Sequence, residues 1–132
     1  MASIRVHIRI AASPDAVWKV VADTGNIADW FPAVTKSEQV SPDLRVVELG
    51  PDTVFEERIV TLDGGLRRLQ YVISAGLPEG MKHLATIDVL EDGAGSLLVY
   101  GTDITPDDLA PMINGALAEA IQSLKAYVEA RA

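Results

Sequence analysis

Few side chains in this 132-residue chain combine reactive chemistry with a position that could use it, and several of them fall in one stretch. Phe55 to Ile73 reads as two β-rich runs around the turn residues Asp63-Gly64-Gly65. A three-residue loop there pairs Leu62 with Leu66. Counting outward sets Ile59 opposite Leu69, Glu57 opposite Tyr71 and Phe55 opposite Ile73. The apolar members mark the inner face, which Glu57, Thr61, Arg67 and Tyr71 then share. Burial raises a carboxyl's pKa, so Glu57 and Tyr71 in a dry pocket are candidate acid/base groups. The plainer alternatives are an ion pair of Glu57 with Arg67, or a solvated strand position. A one-residue slip turns the whole set outward.

Other reactive residues offer less. His7 alternates with Arg5 and Arg9 and so faces solvent, and His83 opens a strand as a rim or surface residue. Neither has a His-x-x-x-His spacing, and the chain has no cysteine, so no metal site is expected. There is no Gly-x-Ser-x-Gly elbow and no phosphate-cradling glycine pattern, which leaves hydrolase and nucleotide chemistry without a motif. No cofactor is expected.

The elements that must position these groups follow from hydrophobic spacing. Ile4, Val6, Ile8 and Ile10 alternate with polar residues, the period of a half-buried strand. Ser13-Pro14 reads as an N-cap and first helical position, opening a helix that runs to about Asp23 with Trp18 in its core-facing set. A second short helix over Ile27 to Trp30 ends before Pro32. From Val34 to Thr105, β-rich stretches separated by turn signals give six further strands in hairpin order. A stripe of Leu109, Met112, Ile113, Ala116, Leu117, Ala120, Ile121, Leu124, Tyr127 and Val128 predicts a long amphipathic helix from about Pro111 to Ala130. Runs of antiparallel strands with segregated helices define an α+β chain, and the length suits one domain over residues 1–132.

Composition removes several functions. The net charge is −8, and the basic residues form no run, so binding to nucleic acid or to an anionic membrane surface is not expected. No run is long and apolar enough to insert in a membrane or to serve as a signal peptide. The expected compartment is the cytoplasm, and the expected state a monomer or homodimer.

The element order resembles the helix-grip fold of the START-like, birch-pollen-allergen superfamily, in which a curved seven-stranded antiparallel sheet wraps a long C-terminal helix, with two short helices between strands 1 and 2. The local sequence is similar too. "IRIAASPDAVWKVV" (Ile8 to Val21), "IADWFPAV" (Ile27 to Val34), "FEERIVTLDGGLRRLQYVI" (Phe55 to Ile73) and "ATIDVLEDGAGSLLVYGTDITP" (Ala85 to Pro106) resemble successive segments of the bacterial polyketide cyclase/dehydrase-like branch.

The resemblance implies a cavity between sheet and C-terminal helix that takes a small hydrophobic, cyclic or aromatic molecule. It also implies a short helix, carrying Trp30 and Phe31, that closes one mouth. The expected ligand contacts are Trp30, Phe31, Glu57, Ile59, Leu69, Tyr71, Ile87, Tyr100, Met112 and Gly115, with Gly115 leaving room for the ligand. Val89, Leu98, Leu117 and Ile121 are expected around the same interior. Cyclase relatives imply a pocket arginine, for which Arg58 and Arg67 are candidates by composition alone. The alternatives are a cyclase/dehydrase-type enzyme using Glu57 or Tyr71, and a co-chaperone-like interaction domain whose interior has collapsed.

Overall fold

The computed structural model describes residues 1–132. Seven strands, β1 (Ala2–Ile10), β2 (Lys36–Ser41), β3 (Leu44–Glu48), β4 (Val54–Asp63), β5 (Arg68–Ala75), β6 (Lys82–Asp92) and β7 (Gly95–Thr105), form one antiparallel sheet. Its order is β1-β7-β6-β5-β4-β3-β2, hairpin after hairpin, with β1 returning to pair with β7. Helix α1 (Pro14–Ala22) and a kinked 3₁₀ segment (Thr24–Asp29) lie between β1 and β2, and helix α2 (Ala110–Glu129) ends the chain. This is the helix-grip arrangement.

Local chemistry explains the boundaries. Ser13 Oγ accepts the Ala16 N–H at 3.2 Å, and Pro14 at the first position sacrifices no helical bond. The second short element is 3₁₀ and begins three residues earlier than the spacing predicts, with Trp30 closing it. Its approach to β2 is tight, since a Cβ on Gly25 would lie 2.9 Å from the Gln39 Cβ.

The β4–β5 register differs from the sequence expectation. Asp63 pairs with Arg68 and Leu62 with Leu69, so the loop is Gly64 to Arg67 and Arg67 takes the left-handed φ of 54°. That change alone would turn one strand over relative to the other. A bulge at Val60 restores the alternation, giving Ile59 opposite Tyr71 and Glu57 opposite Ile73. Glu57 and Tyr71 therefore both face inward but are diagonal neighbours rather than a direct pair. Thr61, beyond the bulge, turns to the outer face and bonds Gln70 at 2.9 Å.

The core is not spread evenly along α2. Its buried residues, Leu117, Ala120, Ile121, Leu124 and Val128, all lie from its eighth residue onward, and the helix packs on β1 and β7. The first half stands away from the sheet, and its apolar residues face a void. No helix is long and apolar enough to cross a membrane.

Candidate functional site

Where the first half of α2 lifts off the sheet, a cavity of about 670 Å³ opens. The inner face of β4 to β7 supplies Phe55, Glu57, Tyr71, Ile73, His83, Thr102 and Ile104. Leu109, Met112, Ile113, Ala116 and Leu117 supply the opposite wall, and Ile27, Phe31 and Val34 close a third side. Seventeen of the 24 lining residues are hydrophobic, so the site is an apolar container with one polar end.

That polar end is a connected cluster. Arg45, on β3 and 1% exposed, sits directly across the strand pair from Glu57. Its Nε donates to Glu57 Oε1 at 2.9 Å, its second Nη lies 2.9 Å from the same oxygen, and its first Nη donates to the Thr24 carbonyl at 2.9 Å. The second Nη is too poorly aligned for a hydrogen bond and has no other partner. The guanidinium also lies over the Tyr71 ring, 4.5 Å from its centroid. The Tyr71 and Tyr100 hydroxyls bond each other in the buried interior. His83 packs its ring against Tyr71 with centroids 5.7 Å apart.

Burial sets the protonation behaviour of these groups. Removal from water pushes the Glu57 carboxyl above the ordinary carboxylate range, opposed by the attraction and hydrogen bond of Arg45. Desolvation raises both tyrosines, Tyr71 further through the nearby Glu57 charge and Tyr100 through Tyr71. His83 is pushed down to about 4 by burial and by the Arg45 charge, which makes it a neutral imidazole at pH 7.

The expected contacts divide in two. Phe31, Glu57, Tyr71 and Met112 line the cavity, whereas Trp30, Ile59, Leu69, Ile87, Tyr100 and Gly115 do not. Tyr100, Leu69 and Ile87 are sealed in the dry core, and Trp30 stands behind Phe31 with ring centroids 5.8 Å apart. Gly115 lies on the exposed side of α2, where an added Cβ would meet nothing within 4 Å. Of the four interior residues expected around it, Leu117 alone lines the void. His83, expected at the rim or surface, is part of the lining.

The buried arginine is neither Arg58 nor Arg67. Arg58 pairs with Asp43 at 2.6 Å on the surface, and Arg67 with Asp15 of α1 at 2.8 Å, not with Glu57. Arg45 was missed because "LRVVE" carries apolar residues on both faces. The signal lay in the neighbouring turn. Closing the Gly50-Pro51 hairpin with Glu48 against Val54 sets Arg45 opposite Glu57.

Comparison with known proteins places this geometry. The model of the family described as polyketide cyclase/dehydrase and lipid transport matches residues 1–129. Among solved structures, XoxI from Bacillus cereus is 21% identical, with 97% of this chain and 96% of that one covered and a TM-score of 0.87. A START superfamily protein from Mycobacterium smegmatis is 15% identical, covering 98% and 95%, with a TM-score of 0.73. A norcoclaurine synthase point mutant from Thalictrum flavum, in complex with a transition state analogue, is 22% identical, covering 96% and 93%, with a TM-score of 0.79. At these identities the likeness is one of fold. No curated protein matches the chain.

Proposed function

Because the chain belongs to the polyketide cyclase/dehydrase and lipid transport family, we propose that it binds a small hydrophobic, cyclic or aromatic molecule in the cavity between the sheet and the first half of α2. One observation carries the reading: helix and sheet separate around an apolar void of about 670 Å³, within the range of small-molecule sites. Three aromatic rings in the lining, Phe31, Phe55 and Tyr71, suit a flat ligand. An exposed-surface interaction module has no need of such a void.

A second reading, proton transfer to the bound molecule, draws on Glu57. Its carboxyl is buried, raised in pKa and part of the lining, which are the properties of a carboxyl acid/base group. The binding reading comes first because it requires only the walls.

Titration with Nile red, a neutral aromatic dye, tests it. Saturable fluorescence enhancement is expected for the wild-type chain and a loss of at least about tenfold in affinity for Ala116→Trp, whose indole fills the void. Wild-type protein that fails to enhance the dye, or a variant that binds it equally well, overturns the proposal.

A further inference from the structure

The polar end of the cavity also discriminates among apolar molecules by the charge of their polar group. The lining contains two carboxylate residues, Asp52 and Glu57, one histidine, and no lysine or arginine. The nearest cation, Arg45, is not part of the lining. Its Nε donates to Glu57 Oε1, its second Nη lies 2.9 Å from the same oxygen without donating to it, its first Nη is spent on the Thr24 carbonyl, and its face is stacked on Tyr71. Its charge is therefore paired with Glu57 in the first place, although its field reaches the lining at His83 and Tyr71.

Glu57 has the converse arrangement. Only Oε1 has a protein partner, and Oε2 is not among the fully buried atoms left without one. With the residue in the lining, Oε2 is the oxygen turned to the cavity. His83 is held neutral by burial and adds no positive charge, and the Tyr71 hydroxyl is taken up by Tyr100. A ligand's polar group thus meets a carboxylate oxygen that needs a donor and no cationic residue in the lining.

Resting on the binding reading above, we infer that the ligand of this cavity carries a hydrogen-bond donor, a phenol, alcohol or amine, which Glu57 Oε2 accepts, and that carboxylate-bearing molecules such as fatty-acid anions are excluded. An acid entering here would set two carboxylates together in a low-dielectric pocket, a costly arrangement with one nearby cation, Arg45, already paired to Glu57. A donor would instead form a hydrogen bond to a charged acceptor, among the stronger kinds available in a protein.

The test uses three probes with one ring system: 2-naphthol, 2-methoxynaphthalene and 2-naphthoate, each titrated into the full chain at pH 7 by calorimetry. The naphthol is expected to bind several-fold more tightly than the methyl ether and at least about tenfold more tightly than the naphthoate. Glu57→Gln removes the charged acceptor and frees the Arg45 guanidinium, so it should narrow or invert the preference between naphthol and naphthoate. If that variant does not fold, the wild-type ranking still decides. Naphthoate binding as well as naphthol, or ether binding as well as naphthol, overturns the inference while leaving the cavity as a ligand site. Failure of all three probes to bind overturns both.

Discussion

Replacing Arg45 by Met keeps most of the stem that packs in the interior and removes the guanidinium, which leaves the Glu57 carboxylate buried without its counter-ion. Arg45 is 1% exposed and Glu57 7%, so water can reach the carboxylate only from the cavity side and does not replace the guanidinium at Oε1. Removing one member of such a buried pair costs about 3–5 kcal/mol. For a domain of this size that lowers the melting temperature by about 10 to 20 °C. A typical total stability of about 5–15 kcal/mol allows the variant to remain folded for measurement.

The pH dependence has a definite sign. Burial already raises the folded-state pKa of Glu57, and Arg45 opposes the rise. Without Arg45 the folded value climbs further while the unfolded value stays ordinary. Between the two, the folded state holds more protons, so stability falls as pH rises through that window. Urea titration followed by circular dichroism should therefore show a small defect in acid and the full defect at neutral pH. The double variant Arg45→Met/Glu57→Leu, with no buried charge, should return to within about 1 kcal/mol of wild type. A single variant costing less than about 1 kcal/mol at pH 7, or a double variant no better than the single, would refute the assignment of a coupled buried pair.

Four further outcomes follow, two from the same cluster and two from glycines elsewhere in the fold. His83, with its folded pKa lowered to about 4, should cost stability as pH falls from its ordinary value near 6.5 toward 4, by at most about 3 kcal/mol, and His83→Phe should flatten that part of the urea profile. Tyr71→Phe strands the Tyr100 hydroxyl and should lose about 1–3 kcal/mol in the same assay, with Tyr71→Phe/Tyr100→Phe losing less than the sum of the single changes. Gly76 has a φ of 105° and a built Cβ only 2.5 Å from the Val54 carbonyl oxygen, so Gly76→Ala should cost more than about 1 kcal/mol. In contrast, Gly115→Ala on the open side of α2 should gain about 0.5–1 kcal/mol in thermal melts.

The order of elements was legible because each carries its own period and punctuation. Strict alternation in β1, Ser13-Pro14 before α1 and the apolar stripe of α2 are local signals, and a hairpin-ordered sheet needs little else. The cavity was harder to read. Hydrophobic spacing says which face of a helix avoids water, not whether that face meets protein or empty space. Met112 and Leu124 share one stripe, yet Met112 lines the void and Leu124 is fully buried in the core.

The β4–β5 register failed for a similar reason. A bulge at Val60 has no residue signature, and the left-handed position fell on Arg67 rather than on either glycine of Asp63-Gly64-Gly65. Glu57 and Tyr71 still reached the inner face because the longer loop and the bulge compensate. Arg45 became visible only through its pairing with Glu57 across the β3–β4 hairpin.

Methyl-labelled NMR during a 2-naphthol titration tests the location of the ligand site most directly, because each isoleucine and leucine reports its own surroundings. The account predicts saturable shifts at Ile73, Ile104, Ile113 and Leu117, which line the cavity, with little change at Ile10 and Leu124 in the dry core. Shifts confined to exposed residues such as Leu62, Leu66 and Leu90, or no saturable shift at the four lining residues, would contradict it.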